Sequence, residues 1–464
     1  MKSYHVRICL RMATLLCLLL AASPSNAGKT KRVKNVSELV KAVNNGSSGD
    51  TIEIAAGTYW LKEPLRPKNK MTIRGAGRAK TYLKASSSWK PGTSGLPDQT
   101  EEPGSVRKNA YMFSLSWETT DVTISQVNLD GRGRLHGAIY GDNPDRLEVT
   151  NALIDDFVWS GIRTFRLDHG NFHDINFIDA GGKHGNTTGG AIFMTWTRFT
   201  EVSDCKFSAS SSYPRKEFYG IKGHQTEHGL YHHNTFLNPG FSVEFPHAND
   251  HNNELSYNYL KRTVSLPKDG GGSVAQSGVN WRIHHNVFKQ SYSLEWSRNA
   301  VEVDHNLFDF STSEDGGHVI TSWSPKSKGP TRFHDNLIKN PGRGLIVTTS
   351  AYNNFSFYNN HVIANKTKTP RSDGLFGFHQ DTDFSTISIK NNIIECIGKN
   401  RKLMRHSKAY KAKIENNTLK GVSDTGQYQN RKTSNRRGPR SALKFKCGRH
   451  DEYSVDRWSV KHTG

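Results

Sequence analysis

The sequence predicts an all-β protein: a single right-handed parallel β-helix with a short capping helix at its N-terminal end. Two observations favour this fold class. An Asn followed two residues later by a large apolar residue recurs along the chain at steps of 20 to 32 residues. Each step has room for about three short strands and shows no helical segment, so every strand must pair in parallel with its equivalent in the next turn. A β-propeller is disfavoured, because its repeats are longer and hairpin turns such as Asn-Gly are not regularly placed here.

Residues 1–27 have the pattern of a secretory signal and are set apart from the fold. The segment begins with basic residues, continues with the apolar run LLCLLLAA and ends at Ser25-Asn26-Ala27, which fits a small-residue cleavage site. The apolar run is too short to span a bilayer, and no other stretch approaches a membrane span. We therefore expect a secreted protein, extracellular or periplasmic, after cleavage near Ala27.

The composition predicts a polyanionic partner. The 464 residues have a formal net charge of +21, and +18 remains once the three basic residues of the signal, Lys2, Arg7 and Arg11, are removed. A field of this sign attracts polyanions. For an exported protein, a uronate-bearing or sulfated polysaccharide fits better than nucleic acid. We expect an anionic polysaccharide substrate, no nucleic acid, no membrane span and a monomer.

The first element predicted after the signal is a helix over residues 33–46. Its apolar residues recur at helical spacing, Asn35 or Ser37 can cap its start, and Gly46 suits its end. A short strand over Thr51–Ile54 follows. A single helix before a series of short strands suits the open end of a β-solenoid, where it covers backbone and apolar groups of the first turn.

The repeat becomes regular from residue 120 onwards. We interpret the recurring polar residue as an inside corner that bonds to its equivalent one turn away, while the apolar residue after it fills the core. The polar positions are Asn151, Asp174, Asp204, Asn234, Asn258, Asn286, Asn306, Asn336, Asn360, Asn392 and Asn417. At Asp174 and Asp204 the apolar residue follows one position later than in the other repeats.

The predicted domain organisation is a signal peptide over residues 1–27, a β-helix catalytic domain over 28–424, and a basic tail or end cap over 425–464. The last segment is poor in apolar residues and shows no Asn repeat. The cysteines outside the signal are Cys205, Cys396 and Cys447. Their odd number and irregular spacing argue against a disulfide framework and leave any pairing open.

Two stretches of the chain resemble known families. The segment NVSELVKAVNNGSSGDTIEIAAGTY resembles the start of secreted parallel β-helix polysaccharide lyases, nearest to the alginate lyase and chondroitinase B group. The Asn repeat over residues 120–420 resembles the wider pectate-lyase-like superfamily. The resemblance implies a cleft along one face of the helix and cleavage of acidic glycans. The catalytic Lys of those lyases is not matched, because Thr321 stands at the expected position and Lys326 lies further on.

Candidate site residues emerge when the first strand of each repeat is aligned on its buried aliphatic residue. The aligned residues are Ile162, Ile192, Ile221, Val243, Val274, Leu294, Ile320, Ile346, Leu375 and Leu403. Because side chains alternate along a strand, the next residue of each strand points outward. That outward column consists of Arg163, Phe193, Lys222, Glu244, Ala275, Glu295, Thr321, Val347, Phe376 and Met404, with its ionisable groups concentrated in the middle.

Five residues near the middle of the column are predicted to be catalytic: Lys222, His224, Glu244, His247 and Glu295. Glu244 and Glu295 should stand two turns apart, roughly 10 Å by backbone. Inverting glycosidases separate their two carboxyl groups by about 6.5–9.5 Å. Glu244 suits the general base and Glu295 the acid, with the reverse assignment left open. The sequence therefore predicts a glycoside hydrolase.

Two alternatives remain open. In a polysaccharide lyase, Lys222 or one of the two histidines would remove the proton next to a uronate carboxyl, and Arg163 or Arg298 would neutralise that carboxyl. In a non-catalytic glycan-binding solenoid, Glu244 and Lys222 would form only an ion pair between turns.

Residues predicted to bind substrate flank the catalytic group. They are Arg163, Trp196, Gln225, Lys268, Arg298 and Trp323. No metal ligands and no certain cofactor are predicted, although calcium is a candidate because it could offset the charge of Glu244 beside an anionic substrate. Asp250 would either orient His247 or bind a metal.

Overall fold

The computed structural model describes most of the chain beyond the predicted signal. The described residues are 28–91, 108–181, 189–210, 218–237, 241–247, 249–261, 274–276, 278–289, 294–296, 300–311, 318–322, 330–341, 344–364, 374–397, 401–404 and 407–422. The signal segment and the tail fall outside these ranges, so the predicted domain limits stay predictions. Within the described ranges, no helix combines the length and apolar character needed to cross a membrane.

The described chain begins with strand β1 (Thr30–Val33), helix α1 (Val36–Asn44) and strand β2 (Thr51–Ile54), the last with the predicted bounds. Asn35 caps the helix, because its side chain accepts a hydrogen bond from the backbone N–H of Glu38 at 2.9 Å. The buried face of α1 packs against the first strands. Its function as a cap of the solenoid stays a prediction.

The strands form an 11-stranded sheet and a 27-stranded sheet, and every pairing between described strands is parallel. We call the 11-stranded sheet sheet 1. The larger sheet consists of two runs, sheet 2 and sheet 3, joined by β10 (Glu148–Phe157) and β12 (Asn171–Ala180), which extend through both runs. From β6 (Tyr111–Ser114) onwards, each coil passes through sheet 1, sheet 2 and sheet 3 in turn. The chain is therefore a parallel β-helix, and the predicted fold class is confirmed.

The remaining strands are distributed over all three sheets. Sheet 1 consists of β6 (Tyr111–Ser114), β9 (Gly137–Asp142), β11 (Ser160–Phe165), β13 (Gly190–Thr195), β16 (Tyr219–His224), β19 (Phe241–Phe245), β22 (Val274–Gln276), β25 (Leu294–Trp296), β28 (His318–Ser322), β31 (Gly344–Thr348) and β34 (Phe376–Gly377). Sheet 2 adds to β1, β2, β10 and β12 the strands β4 (Thr72–Gly75), β7 (Thr123–Ser125), β14 (Glu201–Ser203), β17 (Leu230–His232), β20 (Glu254–Ser256), β23 (Trp281–His284), β26 (Val301–Asp304), β29 (Thr331–His334), β32 (Phe355–Tyr358), β35 (Ile387–Lys390) and β37 (Lys413–Glu415). Sheet 3 adds to β10 and β12 the strands β3 (Gly57–Leu61), β5 (Thr81–Ala85), β8 (Asn128–Asp130), β15 (Lys206–Ser208), β18 (Thr235–Leu237), β21 (Tyr259–Lys261), β24 (Val287–Lys289), β27 (Leu307–Asp309), β30 (Leu337–Lys339), β33 (His361–Ala364), β36 (Ile393–Cys396) and β38 (Thr418–Lys420).

A ladder of buried Asn side chains follows the corner between sheets 2 and 3, as predicted. The Oδ1 of each Asn accepts a hydrogen bond from the backbone N–H of the ladder residue one coil earlier. Asn306, for example, accepts from the N–H of Asn286 at 2.9 Å, and its Nδ2 donates to the carbonyl of Ile283 at 2.8 Å. The ladder runs through Asn234, Asn258, Asn286, Asn306, Asn336, Asn360, Asn392 and Asn417. These bonds satisfy backbone groups that the buried corner would otherwise leave without partners.

The interpretation of Asn151, Asp174 and Asp204 as ladder positions is wrong. The strand register places Asp204 level with His233, one residue before the ladder position Asn234. The backbone of the three polar residues is left-handed, with φ of 48°, 55° and 52°. Asn and Asp tolerate this conformation better than most residues, which explains their recurrence and the extra residue in the spacing. The inside-corner residues of these three coils are Ala152, Ile175 and Cys205.

The uneven step of the repeat arises mainly on one side of the helix. From β14 onwards, the corner between sheets 2 and 3 has two residues, as at His233-Asn234 between β17 and β18, whereas residues 76–80 separate β4 from β5. By contrast, the connection from sheet 3 to the next strand of sheet 1 comprises only residues 238–240 after β18 but residues 262–273 after β21.

Stacked rings fill the core along the helix axis. The ring centroids of Phe177 and Phe207 lie 4.9 Å apart, and those of Phe207 and Phe236 lie 4.7 Å apart. Gly220 of sheet 1 faces this stack, since a Cβ at that position would come within 2.6 Å of the Phe236 ring. Glycine beside the aliphatic residue of a sheet 1 strand therefore leaves room for the ring opposite.

The two described cysteines, Cys205 and Cys396, are buried free thiols. Burial raises the pKa of both. They form no bond with each other, and Cys447 lies outside the described residues.

Candidate functional site

Sheet 1 brings four of the predicted site residues, Arg163, Lys222, Glu244 and Glu295, into one column. The pairing of neighbouring strands aligns the outward residues Arg163, Phe193, Lys222, Glu244, Ala275, Glu295, Thr321 and Val347. In the last two coils the predicted alignment is wrong by one residue. Phe376 and Met404, not Leu375 and Leu403, lie level with Ile346, so both belong to the core column.

The outward side chains at the N-terminal end of this column are buried. The Arg163 guanidinium lies between two rings, 3.8 Å from the centroid of Phe165 and 3.7 Å from that of Phe193. It also donates a hydrogen bond to Oγ1 of Thr195 at 3.0 Å. Arg163 is only 2% exposed. This burial does not favour its predicted contact with substrate, which stays a prediction.

Lys222 and Glu244 form an ion pair between adjacent coils. Nζ of Lys222 lies 2.8 Å from Oε2 of Glu244, and the two side chains are 6% and 17% exposed. The ammonium group also lies 4.8 Å from the ring centroid of Tyr219. Since little water reaches the pair, its attraction is screened less than that of a surface pair. The pair holds the Glu244 carboxylate on the outer side of sheet 1.

Two histidines lie beside this ion pair. The ring centroids of His224 and His247 are 4.4 Å apart, and Phe193 meets the edge of His224 at 5.0 Å. Burial is the main cause that lowers the pKa of His224, to about 2, and the positive charges of Lys222, His247 and Arg163 act in the same direction. The imidazole of His224 is therefore neutral at neutral pH and resists protonation.

Asp250 anchors the turn that carries His247. Its buried carboxyl group accepts hydrogen bonds from the backbone N–H of His247 through Oδ2 and of Thr226 through Oδ1, each at 2.8 Å. Trp281 donates from Nε1 to the backbone carbonyl of Asp250 at 2.7 Å. Burial raises the pKa of Asp250 to about 7. Of the two functions predicted for Asp250, these contacts correspond to the positioning of His247.

Trp196 and Gln225 occupy the turn that follows sheet 1 in two adjacent coils. Both have a left-handed backbone, and the Trp196 N–H donates to the carbonyl of His224 at 2.8 Å. The Trp196 ring packs against Phe165 with centroids 6.2 Å apart. Both residues therefore flank the histidine pair, and their contact with substrate stays a prediction.

The remaining predicted site residues are described in part or not at all. The backbone of Glu295 lies in β25, two strands from Glu244, while its side chain is outside the described part of the structure. Lys268, Arg298 and Trp323 lie outside the described residues.

The sequence pattern did not reveal a polar and aromatic group in the coils that precede the histidines, formed by Trp117, Asp142 and Arg166. Nη2 of Arg166 donates to Oδ1 of Asp142 at 2.6 Å, and the guanidinium carbon lies 4.6 Å from the Trp117 ring centroid. Arg166 could have been found, because it occupies the same turn position as Trp196 and Gln225. Trp117 gave no signal, because it precedes the regular part of the repeat.

Among the described residues, one group has donor atoms close enough to hold a metal ion: Glu302, Asp304 and His334, within 4.8 Å of one another. This group lies on sheet 2, away from the column. Arg282 at 3.1 Å and His305 at 2.8 Å already contact the buried Asp304. Burial alone would raise the pKa of Asp304, but these two partners hold it well below its usual range. Because Asp304 already has these two partners, the group does not favour a metal ion, and no calcium site is assigned.

Comparison with known proteins supports the fold. No protein-family model and no curated protein matches the chain. Among solved structures, the tailspike protein of E. coli bacteriophage HK620 in complex with a pentasaccharide has a TM-score of 0.54 at 13% identity, covering 83% of this chain and 72% of the tailspike. A single-residue mutant of that tailspike, also with pentasaccharide, has a TM-score of 0.55 at 13% identity, covering 86% and 74%. At this identity the likeness establishes the architecture of a parallel β-helix, while function must be argued from the site.

Proposed function

We propose that this protein is a carbohydrate-active enzyme that hydrolyses glycosidic bonds of an anionic polysaccharide, with Glu244 and Glu295 as its two catalytic carboxyl groups. One observation carries the proposal: the register of sheet 1 puts both glutamates in one column, separated by the single strand β22. Strands repeat at about 4.8 Å, so the two backbones are roughly 10 Å apart. Rotation of the side chains can bring the carboxyl groups into the range of about 6.5–9.5 Å used by inverting glycosidases.

The two carboxyl groups divide the reaction between them. Glu244, held in place by Lys222, takes a proton from a water molecule, and the resulting hydroxide bonds to the anomeric carbon. The bond from that carbon to the leaving oxygen breaks, and the leaving oxygen takes a proton from Glu295. His224 and His247 would contact the sugar next to the scissile bond.

The charge and the fold support an anionic glycan as substrate. The net charge of +21 attracts polyanions. A tailspike with the same kind of fold was solved with a bound pentasaccharide, and a parallel β-helix presents a long, regular surface on which an extended sugar chain can lie. With a signal segment at residues 1–27, we expect the enzyme to meet such a glycan outside the cell, as a monomer.

A polysaccharide lyase is the second candidate, and the histidine pair beside the ion pair of Lys222 and Glu244 favours it. His247 would remove the proton next to a uronate carboxyl, because the strongly lowered pKa of His224 makes that imidazole a weak base. Lys222 is less suited to act as that base, because its ammonium group is paired with Glu244.

The proposed hydrolase predicts that Glu244→Gln abolishes cleavage while the protein stays folded, since glutamine keeps a hydrogen-bond acceptor near Lys222 but cannot take a proton. The substrates to test are alginate, chondroitin sulfate, polygalacturonate, carrageenan, fucoidan and ulvan. Cleavage is measured as new reducing ends, and folding as the far-ultraviolet circular dichroism spectrum.

Glu254→Gln is the matched control, because Glu254 lies on sheet 2 and pairs there with His284. Its activity should equal that of the wild type. Activity that survives in Glu244→Gln excludes the proposed hydrolase. Products that absorb in the ultraviolet as unsaturated uronates identify a lyase, and binding without any products identifies a glycan-binding protein.

A further inference from the structure

The group formed by Trp117, Asp142 and Arg166, together with Trp196, has the construction of a binding site. The Arg166 guanidinium carbon lies 4.6 Å from the ring centroid of Trp117 and 5.5 Å from that of Trp196. Oδ1 of Asp142 accepts a hydrogen bond from Nη2 of Arg166 at 2.6 Å. Asp142 is only 7% exposed, so a buried carboxylate fixes an arginine between two indole rings. We call these four residues the Trp117 platform.

Part of the platform faces solvent. Trp117 is 52% exposed, the most exposed tryptophan among the described residues, and the Arg166 side chain is 32% exposed. Within the described part of the chain, Nη1 of Arg166 donates no hydrogen bond, while Nε is buried and out of reach of a ligand. The guanidinium therefore retains donor capacity, and an arginine presents such donors in a planar fork that fits a carboxylate or a sulfate.

The backbone also fixes Arg166. Its φ is +50°, and its N–H donates to the carbonyl of Thr195 at 2.8 Å. Because the turn and the anchoring carboxylate are both in place before a ligand arrives, little conformational entropy is lost on binding.

The platform is continuous with the proposed active site. Trp196 donates from its backbone N–H to the carbonyl of His224, so the last residue of the platform borders the first histidine of the site. The strands that lead to the platform and the site, β6, β9, β11, β13, β16 and β19, are consecutive in sheet 1. At about 4.8 Å per strand, the platform and Glu244 together extend over roughly 24 Å along the helix axis.

We propose that the Trp117 platform binds an acidic sugar residue of the same polysaccharide, with the exposed indole stacked on the sugar ring and Arg166 bound to its carboxylate or sulfate group. The inference rests on the proposed function and extends it. The glycan lies parallel to the helix axis, from the platform toward Glu244, rather than across the coils.

A second tryptophan and arginine pair in the chain provides matched controls. Trp60 is 45% exposed, and the guanidinium carbon of Arg132 lies 5.2 Å from its ring centroid. This pair lies at sheet 3, away from the sheet 1 column. Trp60→Ala and Arg132→Gln therefore make the same changes of ring and charge as Trp117→Ala and Arg166→Gln, at a different place on the surface.

The experiment measures binding without cleavage. Each of the four substitutions is made in the Glu244→Gln background, and calorimetry measures binding of hexasaccharides from alginate, polygalacturonate and chondroitin sulfate, with cellohexaose as the neutral probe. We expect at least one acidic hexasaccharide to bind. Trp117→Ala and Arg166→Gln should each weaken that binding about tenfold, the value for loss of one stacking or charged contact. The two control substitutions should leave it unchanged.

Three outcomes would overturn the platform: no acidic hexasaccharide binds, the platform variants bind as well as their parent, or the control variants weaken binding equally. The proposal for the platform and the proposal for the active site can be contradicted independently. If platform variants bind weakly but the wild type cleaves none of the glycans, the platform stands and the proposed hydrolase fails. If the wild type cleaves and platform variants bind normally, the hydrolase stands and the platform fails.

Discussion

At the scale of single residues, the environment of His224 is formed by the two neighbouring coils and not by its own strand. Its ring touches Phe193 of the preceding coil and His247 of the following one. The buried cations Lys222 and Arg163 lie close enough to affect its proton affinity. Protonation of this buried histidine destabilises the folded state, so the fold is sensitive to acid.

This sensitivity predicts a pH dependence of stability that His224→Phe removes. The unfolded histidine titrates near pH 6.5, whereas the pKa of the folded residue is about 2, so the unfolded state binds the extra proton between these values. The free energy of unfolding should therefore fall as the pH falls below 6.5, by about 1 kcal/mol per pH unit from this residue. Urea denaturation between pH 4 and 6.5 should therefore show the stability of His224→Phe rising relative to that of the wild type, by about 1 kcal/mol for each pH unit of acidification.

His169→Phe is the control, because the side chain of His169 is 57% exposed. Its profile should follow that of the wild type. Asp250, whose pKa is raised to about 7, contributes a slope of opposite sign, and this contribution is the same in both proteins. Parallel slopes for His224→Phe and the wild type would show that His224 takes up a proton in the folded state.

At the scale of an element, the sequence predicts the Asn ladder correctly but not the residue at which the ladder begins. The side chain of Asn306 accepts from Asn286 and donates to Ile283 in the preceding coil, and it also donates to Oδ1 of Asn336 in the following coil. Such a residue recurs wherever the corner repeats. At Asp174 and Asp204 the polar residue answers a different requirement, a left-handed backbone one position earlier. Composition alone cannot separate these two causes, because Asn and Asp satisfy both.

The ladder predicts that Asn306→Ala lowers the free energy of unfolding by about 2–4 kcal/mol, because the change leaves the Asn286 N–H and the Ile283 carbonyl buried without partners. Asn176→Ala, at a half-buried position outside the ladder, should cost less than about 0.5 kcal/mol. Urea denaturation of both variants measures the difference. Equal costs would mean that the ladder bonds add nothing beyond those of an ordinary surface amide.

Register in sheet 1 shows where sequence reasoning stops. The column from Ile162 to Ile346 was predicted because one aliphatic residue dominates each strand and defines which side faces the core. In the coil of β34, Leu375 and Phe376 are both apolar, so the pattern leaves two alignments and the predicted one was wrong. The burial of Arg163 could not be predicted either, because it depends on what covers the outer side of the sheet.

At the scale of the whole molecule, the fold aligns residues that are far apart in sequence. The strands that carry these residues follow one another in the sheet in the same order as in the sequence. Lys222, Glu244 and Glu295 span three strand pairings of sheet 1 and stay in one column. A surface built in this way grows in one direction, which suits a polymer. The large positive charge acts on the same scale, because its field extends beyond any single contact.

The charge predicts that binding of an acidic hexasaccharide weakens as sodium chloride rises from about 0.05 to 0.5 M, because salt shortens the range of the attraction. Calorimetry at four salt concentrations should show the dissociation constant rising steadily, while any binding of cellohexaose stays constant. Binding that is independent of salt would mean that hydrogen bonds and stacking alone hold the glycan, with no contribution from the overall field.

The two-residue corner between sheets 2 and 3 restricts where insertions can occur as such a protein evolves. From β14 to β38 that corner keeps two residues in every coil, because one extra residue would exchange the inner and outer sides of the next strand. The connection from sheet 3 to sheet 1 tolerates three residues in one coil and twelve in another, as residues 238–240 and 262–273 show. New segments can therefore be added at the edge of sheet 1, beside the column of Lys222, Glu244 and Glu295, without any change in the rest of the β-helix.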